Sequence, residues 1–146
     1  MNNVYNEQTI DNFIERIKLL DKGQNPLWGK MTAPQMVRHC VLNDEMLQGK
    51  KRYKRLFMGR LFGPMVLKKI LRENIMAVNQ PTHPALKVKG KVDFELEKKN
   101  WIALLEDYGH FNVKEFTHPF FGKMSYDEIG HFAYKHIDHH LRQFNV

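Results

Sequence analysis

Apolar residues recur at three- and four-residue spacing in several stretches of the chain. In the first, Ile10, Phe13, Ile14, Ile17 and either Leu19 or Leu20 share one face, the period of an amphipathic helix. Thr9 is the expected N-cap and Gly23 the expected stop. A second helix is expected from Thr32-Ala33-Pro34-Gln35, where the Thr32 hydroxyl and the Gln35 amide can form a capping box and Pro34 falls in the first turn. Gly49 ends it. Helical period returns near Asp93, with Trp101, Leu104, Leu105 and Tyr108 on one face, and closes at Gly109. The last helix is expected from a second capping box, Ser125-Tyr126-Asp127-Glu128, to about Phe144.

Between the second and third of these helices the pattern weakens. Leu56 to Arg72 is apolar but broken by Gly59, Gly63 and Pro64, which predicts one or two short helices in a long crossover. Asn79-Gln80-Pro81-Thr82-His83-Pro84 is expected to be irregular, since each proline biases its predecessor toward extended backbone. Strand alternation is confined to a possible Leu86–Val88 fragment. The expectation is therefore an all-α fold, a four-helix bundle with one long crossover, forming a single domain over residues 1–146.

Composition narrows the class. Apolar residues make up 42% of the 146 residues, as in globular chains. No apolar run reaches the roughly 18 residues of a membrane span, and Met1-Asn2-Asn3-Val4-Tyr5 lacks the regions of a signal peptide. The single cysteine, Cys40, excludes an internal disulfide and any zinc site of paired cysteines. A cytoplasmic location is expected. The formal charge of +7 gathers in Lys50–Arg55, in Lys68, Lys69 and Arg72, and in Lys87, Lys89 and Lys91. No base-reading motif accompanies these clusters, so they are read as solvated surface without specific nucleic-acid binding.

Histidine placement carries the chemistry. In the last helix Ile129, Phe132, Ala133, His136, Ile137, His140, Leu141 and Phe144 form one stripe at about 100° per residue. His136 and His140 are one turn apart, roughly 5–6 Å on one face, so two imidazoles can meet one metal ion. His139 lies at the stripe's edge and His131 points away; neither is expected to be a ligand. In the second helix Met36, Cys40 and Leu47 mark the inner face, with His39 at its margin. Three imidazoles plus water form the open arrangement of catalytic metal sites. Zinc is the first expectation, with nickel or iron fitting the same ligands. Asn43, one turn after His39, is read either as a substrate contact or as a core hydrogen bond. Asp44, Glu45 and Glu106 are candidates for a general base by helix position alone and are expected to be surface carboxylates, and Cys40 a buried, inert thiol. His118-Pro119-Phe120-Phe121-Gly122 is read as an aromatic plug over the bundle end in preference to a substrate lid, and Trp28-Gly29 as a packing anchor.

Met36-Val37-Arg38-His39 followed far downstream by His136-Ile137-Asp138-His139-His140-Leu141-Arg142-Gln143 resembles the pattern of the DinB-like (YfiT-like) metalloenzyme superfamily. Trp28-Gly29-Lys30-Met31-Thr32 and His118-Pro119-Phe120-Phe121-Gly122 resemble an uncharacterised subgroup of it. The resemblance implies an up-down-down-up bundle, a three-histidine divalent metal site and a homodimer. Some members of that superfamily are transferases or isomerases that use a low-molecular-weight thiol. The leading expectation for this chain is a metal-dependent enzyme acting on a small molecule, either a hydrolase or a thiol-dependent transferase. The His-Arg-Gly-Gln ending common in that superfamily stands here as His140-Leu141-Arg142-Gln143, which leaves Gln143 as an orienting residue. Two other classes stand beside the enzyme: a helical module that binds a metal or small molecule without turnover, and a basic nucleic-acid-associated protein.

Overall fold

The structure, a computed structural model, describes residues 2–113 and 115–146. Its helices are α1 (Glu7–Leu19), α2 (Ala33–Leu47), α3 (Phe57–Arg72), α4 (Phe94–Asp107) and α5 (Tyr126–Gln143). Two strands, β1 (Glu115–His118) and β2 (Gly122–Ser125), form an antiparallel hairpin in which Phe116 pairs with Met124 and His118 with Gly122. Single turns of 3-10 helix lie at Pro84–Leu86 and Tyr108–His110.

The all-α four-helix expectation is corrected by these elements. Among the described residues there are five α-helices and a small two-stranded sheet, so the fold is mixed. Each strand is only four residues long and the loop between them contains Pro119, too little chain for alternation to register. Leu86 belongs to a 3-10 turn instead of a strand. The crossover holds one continuous 16-residue helix where one or two short ones were expected. Pro64 is tolerated inside α3 because it lies on the exposed side, where the Arg60 carbonyl it leaves unpaired can meet water. Gly59 and Gly63 have a packing role: a Cβ at either would lie 2.4 or 2.0 Å from the Phe120 carbonyl oxygen. The hairpin tip rests on the glycine face of α3, and the Leu56 amide donates to the Pro119 carbonyl at 2.9 Å.

Both capping boxes form as expected, with Thr32 paired to Gln35 and Ser125 to Glu128. The start of α1 differs: Asn6 is the cap, its side chain accepting from the Thr9 amide. Helices α2 and α4 pack along each other, and α1 touches α4 and α5. Trp101, Leu105, Met36, Ile137 and Phe13 lie in the core between them. Among the described residues, no helix is long and apolar enough to cross a membrane.

Candidate metal centre

Helices α2 and α5 meet at His39, His136 and His140. All three side chains are buried, and one ligand nitrogen from each lies within 4.8 Å of the others. The ring centroids stand 4.6 to 5.1 Å apart. Capping boxes fix where both helices start, and the one-turn spacing of His136 and His140 stands their rings edge to face. The structure thus holds a three-histidine group able to bind a metal ion.

Hydrogen bonds orient two of the rings. His39 Nδ1 donates to the Leu86 carbonyl at 2.9 Å. His140 Nδ1 donates to Gln143 Oε1 at 2.8 Å, and Gln143 Nε2 donates to the Trp28 carbonyl at 2.8 Å. With Nδ1 so committed, each ring carries its lone pair on Nε2. The third ring is different: His136 Nδ1 is buried without a partner, while its Nε2 lies 3.1 Å from His39 Nε2. Two imidazole nitrogens at that separation require a proton or a cation between them. Nitrogens on tetrahedral zinc, with Zn–N bonds of about 2.0–2.1 Å, stand only slightly farther apart. The donor set fits a divalent ion.

Burial makes the set ligand-ready. It pushes His136 and His140 well below the ordinary imidazole value of 6.5, and their neighbouring histidines push the same way. His39 is also lowered by burial, partly offset by its bond to Leu86. Neutral rings keep their lone pairs for a metal.

The orienting contacts depend on particular backbone. Gly29 adopts φ +79°, and a Cβ there would lie 2.9 Å from Gln143 Nε2. Glycine therefore lets the Trp28 carbonyl reach Gln143. Trp28-Gly29 anchors the loop, as expected, but through this carbonyl it also supports His140. Neither the Leu86 nor the Trp28 carbonyl has a side-chain signature that sequence reasoning could detect.

Other candidates fall elsewhere. His139 is buried against the Trp28 ring, with centroids 5.4 Å apart, and is outside the three-histidine group. Asp138 pairs with Arg16 and Arg142. Asn43 is buried, and its amide donates to Asp44 at 3.4 Å. Asp44 corrects an expectation: it is fully buried, accepting from Trp101 Nε1 at 2.9 Å and the Tyr108 hydroxyl at 3.1 Å. It ties α2 to α4. Burial raises it to about 7 despite these bonds. Glu45 is half-buried beside Lys51, and Glu106 is exposed. Cys40 is buried and held well above the ordinary thiol value by burial. In the basic cluster, Lys50 pairs with Asp107 and Lys51 with Glu45.

Fold and site together define a mixed helical chain, with a β-hairpin beside a buried three-histidine group. By sequence, the chain belongs to the family described as "Protein of unknown function (DUF1569)", whose family model matches residues 5–146. No curated protein and no solved structure matches it.

Proposed function

We propose that the chain is a metal-dependent enzyme of the DinB-like (YfiT-like) kind, holding one divalent ion on His39, His136 and His140 and acting on a small molecule. One observation carries the reading: two of three clustered imidazoles have Nδ1 secured by carbonyl acceptors, which directs their Nε2 lone pairs toward a shared point. Carbonyl and amide partners of this kind orient ligating histidines in metalloproteins. Zinc is the proposed ion because neutral imidazoles suit it, with nickel or iron as substitutes. When bound, such an ion lowers the pKa of a water or thiol nucleophile and polarises an electrophile.

The chain's own contribution is to hold the rings in one tautomer and keep them neutral. The walls are apolar, with Phe132 stacked against His136 at 5.8 Å. No carboxylate belongs to the three-histidine group, and Asp44 is committed to Trp101 and Tyr108. The proposed reaction is therefore hydrolysis or thiol transfer in which the nucleophile's proton leaves through solvent or substrate. A cytoplasmic homodimer is part of the same reading, drawn from the resemblance and from the single buried cysteine.

The experiment is a turnover screen of zinc-loaded protein against small ester, amide, halide and epoxide substrates, with and without a low-molecular-weight thiol. Turnover is expected, and it should be lost in His136→Ala. Full zinc occupancy with no turnover across the panel would favour the second reading, a metal-binding module without catalysis.

A further inference from the structure

The hairpin carries one further nitrogen donor, His118, toward the metal centre. His118 Nδ1 accepts from the backbone amides of Phe120 and Phe121, at 3.0 and 3.1 Å, so its proton sits on Nε2. Its ring stacks on Phe121 at 4.3 Å and meets Phe132 at 5.9 Å; Phe132 in turn stacks against His136. His83 is fixed the same way. Its Nδ1 accepts from the Ala85 amide at 3.1 Å, which leaves a buried Nε2–H without a partner. The Lys54 carbonyl approaches this ring but does not satisfy Nε2.

Arg55 completes the set. The bond from Leu56 to Pro119 draws it to the hairpin, and its guanidinium lies over Gly122, 3.4 Å from where a Cβ would stand. Its Nε is buried without a hydrogen-bond partner. Among the described residues no carboxylate pairs with it. Burial, then the proximity of His83 and of the Arg55 cation, push His118 down to about 3, so it stays a neutral N–H donor beside them. Buried donors left without acceptors are costly. Such a group with one fixed cation is what an anionic ligand satisfies.

We propose that Arg55, His83 and His118 form a subsite for an oxyanion, a carboxylate or phosphate, carried by the small-molecule substrate. The donors define the subsite by themselves; its role in substrate recognition rests on the metal-dependent reading above. A substrate with an anionic group at one end would be anchored by Arg55 and present its other end toward the histidines.

The test uses inorganic phosphate as probe, titrated calorimetrically into chelator-treated protein and into zinc-loaded protein freed of excess metal. One saturable site per chain is expected in both. Arg55→Met should weaken it about tenfold or more, while the exposed Arg60→Ala leaves it unchanged. Arg55→Lys, which keeps the charge but not the fork, should weaken it less and serves if the methionine variant misfolds. Absence of saturable binding, or equal loss in the Arg55 and Arg60 variants, would overturn the subsite. So would phosphate binding that requires zinc and disappears in His136→Ala. Phosphate binding through Arg55 in a protein that takes up no zinc would leave the subsite standing and remove the metal reading alone.

Discussion

Gln143 holds His140 from the next turn of the same helix: its Oε1 accepts from His140 Nδ1 at 2.8 Å while its Nε2 donates to the Trp28 carbonyl at 2.8 Å. The amide thus links the ring to a loop outside α5 and leaves it only one useful tautomer. Removing it should loosen the ring without removing a ligand. Gln143→Leu is expected to weaken metal binding about 10- to 100-fold, the usual cost of losing such a partner. Competition with a chromophoric chelator measures it. Unchanged affinity would mean that His140 needs no orienting contact.

Metal removal should leave the fold in place. The core of α1, α2, α4 and α5 is apolar and both site helices have their own capping boxes, unlike small domains whose folding depends on an ion. Chelated protein is expected to keep its far-ultraviolet circular dichroism, melt at lower temperature and regain the difference when zinc is restored. Loss of the helical signal on chelation would make the site structural and weaken the enzyme reading.

Acid should destabilise the metal-free protein. His39, His136 and His140 are lowered from 6.5 by burial, and His118 is pushed down to about 3. Each is neutral in both states above pH 6.5; below it, the unfolded chain takes up protons that the folded chain refuses. Each can therefore remove up to about 1.4 kcal/mol of stability per pH unit as pH falls. Asp44 works in the opposite sense. Raised from 3.8 to about 7, it binds its proton more tightly in the folded state and favours folding as pH falls. One carboxyl against four imidazoles leaves the net sign with the histidines. Urea midpoints should fall steadily from pH 7.5 to 5.5, and a flat or rising profile would refute the burial of these rings.

Asp44 itself is a packing device. Asp44→Ala strands the Trp101 indole N–H and the Tyr108 hydroxyl in the core, a loss of about 2–5 kcal/mol for two buried groups. Asp44→Asn keeps one acceptor and should cost less. Denaturant unfolding followed by tryptophan fluorescence distinguishes them. Equal, small losses would show that water reaches the pair.

The sequence exposes those parts of the molecule whose signals are local. Thr32-Gln35 and Ser125-Glu128 mark the site helices because a capping box is complete within four residues. The spacing of His136 and His140 predicts their shared face for the same reason. Asp44 has no such signal: its burial depends on Trp101 and Tyr108, 57 and 64 residues away. The hairpin is hidden because its four-residue strands owe their position to α3, through Gly59, Gly63 and the Phe120 carbonyl. Those same glycines, read as helix breaks, turn out to be a docking face inside one unbroken helix. Arg55 counts as surface charge in the sequence, and only the contact with the hairpin turns it inward.

The most direct measurement is metal content of protein purified without an affinity tag, before and after zinc saturation, in the native chain and in two variants. About one divalent ion per chain is expected in the native protein. His139→Ala should retain it, since that ring lies against Trp28 and outside the group of three. His136→Ala should lose it. Full occupancy in His136→Ala, or equal loss in both variants, would contradict the assignment of His39, His136 and His140 as the metal site.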